Sequence, residues 1–390
     1  MTELAQSPTD PAFVQDPYPF YERARAAGAF FRWTDYALPC TGNAMAVNAI
    51  FRDRRFGREA PPECAPDTPS HLAPFYAVEA HSMLELEPPR HTRLRNLVLR
   101  AFTSRRIAAL QPEIAALSHS LIDAFPAGEV DLLPAFAQKL PVIIIARLLG
   151  VPENMADDLL RWSNAMVGMY MAGRTRTSED RAVAATQDFT AFLRGYVAER
   201  RARPADDLIT HLIAAEAEGE RLTTDELIAT CILLLNAGHE ATVHTIGNGV
   251  KTLLQTGHRI GTDNAEATVE EILRFDPALH MFTRWAYEEV EVIGHTFRRG
   301  DQVALLLAAA NRDPGLWDTP GSFDPTRLPR PHASFGAGLH FCVGAPLARL
   351  ELVTALPILF DRLPGLRLTR VPSYADVYHF HGLKALLVAA

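Results

Sequence analysis

Apolar positions recur with helical spacing through most of this chain. The longest such run starts at Thr223 and continues to about Gln255, roughly 50 Å at about 1.5 Å per residue. A helix of that length must cross a whole domain. Thr223 and Glu226 stand at its head with the spacing of a capping box, in which each side chain takes the other residue's backbone N–H. A second run, APLARLELVTALPILF, predicts a helix directly after a glycine-rich stretch. A third follows TGHRIGTDN and carries Glu271 and Arg274. From Pro112 to Arg200 the pattern gives several amphipathic helices, one ending in ARLLGVPE with Gly150 at its cap and Pro152 beyond. β-Formers mix with turn residues from Ala29 to Ala60, and Trp285 to Ala310 alternates as strands do. The C-terminal VYHFHGLKALLV predicts a strand pair, and dense prolines from Pro61 to Pro74 predict a loop. The pattern therefore predicts a mainly α protein with a smaller β-rich region. No repeat, linker or low-complexity tract divides residues 1–390, which read as a single domain.

Composition changes this picture little. The chain is 48% hydrophobic and 22% charged, ordinary for a globular protein. A net charge of −8 without a dense basic run argues against a nucleic-acid partner. Cys40, Cys64, Cys231 and Cys342 are far apart and form no C-x-x-C pair, so neither a cysteine zinc site nor a disulfide framework is expected. MTELAQSPTDPAF has no apolar core and no basic leader, so secretion and a membrane anchor are not expected either. A reducing cytoplasm is the natural setting.

Candidate chemistry begins inside the long helix, at LLLNAGHEATVHT. Gly238 costs about 1 kcal/mol relative to Ala in a helix interior, and a small residue there leaves room for a ligand. Glu240 is a carboxylate among apolar residues, which is costly without partners. His91 and Arg95 lie four apart in EPPRHTRLR, on one helix face, and suit a carboxylate ligand. Taken alone they read as a solvated basic face, extended by Arg100, Arg105 and Arg106. Glu271 and Arg274, taken alone, read as an exposed ion pair worth less than about 1 kcal/mol. WSNAMVGMYM, from Trp162 to Met171, is a methionine-rich stripe of the kind that most often fills a core.

The sharpest signal is FGAGLHFCVG, Phe335 to Gly344. A thiolate binds metal, and Cys342 stands just before a helix N-terminus, where free N–H groups and the dipole favour a negative sulfur. Gly336, Gly338 and Gly344 let the backbone approach a flat ligand, and Phe335 offers a ring to cover the sulfur. The spacing F-x-x-G-x-x-x-C-x-G resembles the haem-thiolate loop of the cytochrome P-450 family. The long helix with its internal glycine and acid, H-x-x-x-R, E-x-x-R and ANRDP resemble that family too, in the family's order from Asp16 to Val388.

The resemblance implies a haem b, iron protoporphyrin IX, between the long helix and the cysteine-loop helix. Cys342 would be the iron ligand, within a cofactor-binding loop that includes Phe335, Gly338 and Gly344. His91, Arg95, Arg284 and His340 would neutralise its propionates through charge-assisted hydrogen bonds. Glu271, Arg274 and Arg327 would brace the chain near the loop. Leu234, Ala237, Leu279, Met281, Phe282 and Phe380 would line the substrate pocket, and the methionine stripe would belong to its lid. The implied reaction inserts one oxygen atom from O2 into a hydrophobic small molecule. With no flavin- or ferredoxin-like domain fused, electrons would come from a separate ferredoxin and ferredoxin reductase, to an enzyme acting as a monomer. One departure concerns catalysis. The residue after the acid Glu240 is usually Thr; here it is Ala241, with Thr242 about 100° further around the helix. Two other readings are a haem-thiolate peroxygenase or isomerase, and a haem sensor or electron carrier. Glu240, suited to proton delivery, speaks against the peroxide version. Leu279, Met281 and Phe282, as an organic pocket, speak against the sensor or carrier.

Overall fold

The longest apolar run folds as a single helix, Thr224–Thr256, in the computed structural model, which describes residues 1–171, 173–217 and 219–390, with 216 and 217 as backbone only. The Thr223 hydroxyl accepts from the Glu226 N–H at 3.2 Å, and the Glu226 carboxylate accepts from the Thr223 N–H at 2.9 Å. Gly257, at φ +73°, ends the helix in the left-handed conformation that glycine adopts without strain. Leu235, Ile246 and Val250 are fully buried, because an element apolar on all sides must be covered on all sides. The cover comes from helices Lys139–Leu149, Ala156–Val167, Arg176–Ala202, Ala265–Phe275 and Ala345–Arg362.

The β-rich part is a six-stranded sheet in the order Thr2–Leu4, Phe31–Trp33, Leu38–Thr41, Gln302–Leu306, Met281–Ala286, Phe56–Gly57. Two expectations need correction here. The alternation from Trp285 to Ala310 stops at Leu306, and Leu307–Ala310 is a helical turn. Leu307 donates to His280 O at 2.9 Å and its own carbonyl then accepts from the Asn311 N–H, so the chain leaves the sheet by coiling. The C-terminal stretch forms one strand, Leu387–Ala389, between Arg367–Leu368 and Val130–Asp131. Before it the chain folds back at Gly382, whose N–H donates to Phe380 O at 3.0 Å, leaving only the isolated bridges Leu279–Phe380 and Tyr374–Leu383.

Glu271 and Arg274 are buried rather than exposed. They pair through two bonds of 2.7 Å, and the Arg274 guanidinium also donates to the carbonyls of Asn311, Pro320 and Ser322. Arg327 approaches Glu271 at 3.5 Å, and the Asp324 N–H donates to Glu271 at 2.8 Å. One helix thus holds the irregular segment leading into the cysteine loop, and charge-assisted bonds to fixed carbonyls give that segment its shape.

Candidate functional site

Cys342 lies three residues before the helix Ala345–Arg362, and its own N–H donates to Phe335 O at 3.0 Å, closing the loop. Burial pushes its thiol above the ordinary range. The N–H groups of Gly344 and Ala345 and the charges of Arg95 and Arg349 oppose this. Gly338 has φ +69°, and a Cβ there would stand 2.0 Å from Phe51 O, so only glycine fits. Gly344 has φ −79° and needs no such freedom; a Cβ there would meet the Cys342 sulfur at 3.8 Å. The Phe335 ring packs under the Arg349 guanidinium at 4.5 Å and edge-on to Phe341 at 6.5 Å.

Cationic and imidazole side chains gather beside this loop. His91 and Arg95 share a face of the helix Arg90–Ala101. Arg95 donates to Phe341 O at 2.7 Å. The His91 and His340 rings lie 4.4 Å apart, and His340 Nε2 meets Glu87 Oε1 at 2.8 Å. Glu87 is a partner that sequence reasoning missed; a carboxylate just before two prolines gave no periodic signal. Burial, then the nearby His340 and Arg95, lower His91 to about 4, so it is neutral at pH 7. Arg284 is 3% exposed and stacks over Phe51 at 4.9 Å. Its guanidinium donates to Thr283 O at 2.7 Å, and among the described residues no carboxylate pairs with it. Burial, then Arg58, lower it to about 9.

On the long helix the small residue facing open space is Ala237, not Gly238. Ala237 is exposed although its helix is buried on both sides of it. A Cβ on Gly238 would contact Ile145 of a neighbouring helix at 3.7 Å, so this glycine sits against protein. Leu233, Leu234 and Ala241 share Ala237's face by helical spacing. Thr242 is buried and donates to Gly238 O at 3.5 Å. Glu240 has two imidazole partners: His244 Nε2 at 3.1 Å and His239 Nε2 at 3.4 Å. Burial raises its pKa, but the two imidazoles outweigh that and hold the carboxyl well below its usual range. His239 and His244 were not foreseen; the i, i+4 spacing of Glu240 and His244 was the available signal.

The strand Met281–Ala286 divides the expected pocket residues. Phe282 packs with Phe51 and under Arg58, whose guanidinium lies 5.5 Å from its ring and pairs with Glu85. Met281 points the other way, into the core of Phe13, Phe20 and Trp33, because alternate strand residues face opposite sides. It therefore does not line the pocket. Leu279 and Phe380 are joined by their bridge, and the Phe380 ring lies 6.2 Å from His244. The methionine stripe is core: Met166 and Met169 are buried, while Tyr170 donates to Glu79 at 2.8 Å.

The family model described as Cytochrome P450 matches residues 265–363. The biotin biosynthesis cytochrome P450 of Bacillus subtilis is 34% identical over 397 residues, covering 99% of each chain. The chain belongs to the cytochrome P450 family. The monooxygenase PikC of Streptomyces venezuelae is 36% identical, over 96% of this chain and 91% of its own. The crystal structure of P450BioI with a hexadec-9Z-enoic acid-ligated acyl carrier protein matches with a TM-score of 0.91 at 33% identity, over 97% of this chain and 99% of the other. This P450 is accordingly a haem-thiolate monooxygenase, an oxidoreductase acting on a small molecule and O2. Its residues fit a haem. His91 Nδ1 is buried without a hydrogen-bond partner, Arg284 is buried without a carboxylate paired to it among the described residues, and Ala237 is exposed in an otherwise buried helix. No helix among the described residues is long and apolar enough to cross a membrane.

Proposed function

We propose that this P450, acting as one unit over residues 1–390, uses haem b to insert oxygen into a largely apolar small molecule. Its electrons come from a separate ferredoxin and ferredoxin reductase, and its setting is the cytoplasm. The observation that carries the substrate reading is the apolar face Leu233–Leu234–Ala237–Ala241, on which Ala237 is exposed within an otherwise buried helix. The Arg58–Glu85 pair beside Phe282 gives this apolar wall one charged corner, suited to a substrate with a single polar group. When bound, the haem would supply the O2 activation that C–H insertion requires.

The chain's own residues bind and supply protons. Cys342 would ligate the iron. Arg284, His91, Arg95 and His340 would take the propionates, His340 from a ring whose Nε2 is held by Glu87. Ala241 offers no hydroxyl, and the Thr242 hydroxyl is turned to Gly238 O. Glu240, a carboxylate held between His244 at 3.1 Å and His239 at 3.4 Å, therefore takes the position from which protons are relayed. Reconstituted turnover under labelled O2, on a hit from a spectral screen of apolar compounds, tests this reading. One labelled oxygen atom per product, dependent on ferredoxin and its reductase, is expected. Product formed equally well from peroxide without O2 would replace it with the peroxygenase reading.

A further inference from the structure

Away from the cysteine loop, three polar side-chain atoms converge in the interior without hydrogen-bond partners. They are Asp276 Oδ1, His280 Nε2 and His381 Nε2. The ligand atoms lie within 4.8 Å of one another, with the Asp276 and His381 atoms 3.6 Å apart. The residues are 2%, 0% and 1% exposed. Leaving one such group unsatisfied costs about 1–3 kcal/mol, so three at a single point call for an occupant.

We propose that Asp276, His280 and His381 bind a zinc-class divalent cation as a structural clasp. Two imidazoles and a carboxylate form a donor set that zinc accepts. Ligand atoms about 2.0–2.2 Å from a tetrahedral ion stand about 3.3–3.6 Å apart, so the Asp276–His381 pair is already at that spacing and the widest separation must close by about 1 Å. The surroundings orient each ligand, as outer partners do around metal sites. Tyr21 donates its hydroxyl proton to Tyr378 at 2.9 Å, so at its 2.8 Å contact with His280 it accepts from Nδ1. With Nδ1 so engaged, His280 Nε2 is the ring nitrogen left to face Asp276 and His381. The His381 ring is stacked on Tyr374 with centroids 3.6 Å apart. The second Asp276 oxygen takes Lys251 Nζ at 2.7 Å and the Tyr374 hydroxyl at 2.5 Å, leaving Oδ1 to face the imidazoles. Burial keeps both imidazoles neutral, the form that ligates. The Lys251 and Arg312 charges nearby oppose any cation, so binding should be weaker than at a zinc site without them.

The placement gives the clasp a purpose. His280 lies between Leu279 and Met281, His381 follows Phe380, and Leu279 and Phe380 bridge each other. An ion there would tie both substrate-facing segments to the end of the helix Ala265–Phe275, from behind the pocket wall. It uses none of the four cysteines.

Metal content tests this on the haem-loaded enzyme, dialysed against chelator and then equilibrated with micromolar zinc. About one zinc per haem iron and a raised unfolding temperature are expected. His280→Gln and His381→Gln should lose the zinc and keep the haem iron. Zinc retained by both variants overturns the proposal, as does absence of both uptake and thermal shift in the unsubstituted protein, which would leave a trapped water as the occupant. Should the variants fail to fold, X-ray absorption at the zinc edge of the unsubstituted protein decides. Two imidazoles with oxygen support the site; sulfur ligands overturn it.

Discussion

Burial alone would keep Cys342 protonated, and the loop works against burial with two N–H groups and two guanidinium charges. A neutral imidazole at that position could still reach iron but could not donate thiolate density. Cys342→His is therefore expected to lose the red-shifted carbon monoxide band of the reduced protein while possessing bound haem; a retained thiolate band would remove Cys342 from the ligand role. Glu240 makes the second argument at this scale. Its carboxylate is held ionised by His239 and His244, whereas the buried Thr242 hydroxyl makes a single long contact, 3.5 Å, with a backbone carbonyl. A general acid–base group is commonly worth about 10²–10⁴-fold in rate. Glu240→Ala should lower product formed per cofactor consumed by a factor in that range, with haem reduction little changed. Thr242→Ala should cost far less. The reverse order would show that a shifted hydroxyl does the work.

Among the elements, the helix Ala265–Phe275 depends on one buried pair more than its sequence suggests. E-x-x-R spacing fits an exposed ion pair equally well. Only the packing, with Arg274 at 1% and Glu271 at 4% exposed, raises what is at stake. Removing one partner of a buried pair leaves an uncompensated charge, at a cost of about 3–5 kcal/mol. Glu271→Ala should lose stability of that order in denaturant unfolding and load less haem, because the cysteine loop hangs from the carbonyls that Arg274 holds. A loss below about 1 kcal/mol would return the pair to the surface class. The long helix was the most legible element, since its capping box and its length both lie in local sequence. The face it turns to the cavity was less so. Gly238 and Ala237 are adjacent small residues, and which one meets open space depends on where Ile145 packs.

For the molecule as a whole, Arg100 and Arg105 are exposed and Arg106 is loosely paired to Asp206 at 3.9 Å, continuing the basic run of the helix that carries His91 and Arg95. An acidic ferredoxin would be steered there by charges that salt screens over about 10 Å at 0.1 M. Turnover with ferredoxin should fall as ionic strength rises, and reversing all three charges should weaken ferredoxin affinity. Unchanged affinity in that triple variant would place docking elsewhere.

The sequence by itself determined the family resemblance, the mainly helical class, the cysteine loop and the long helix, because each rests on residues close together in the chain. Periodicity, caps and glycine spacing are local signals. Tertiary structure alone decided what depends on contacts across hundreds of residues. It set Glu87 against His340, turned Met281 into the core and Phe282 out of it, and folded the C-terminal stretch back at Gly382 instead of into a hairpin. It also brought His381 to Asp276 and His280, three residues whose spacing in the chain carries no metal-binding pattern. Strand facing and the convergence of distant side chains follow from packing, and packing is not written in any one window of the sequence.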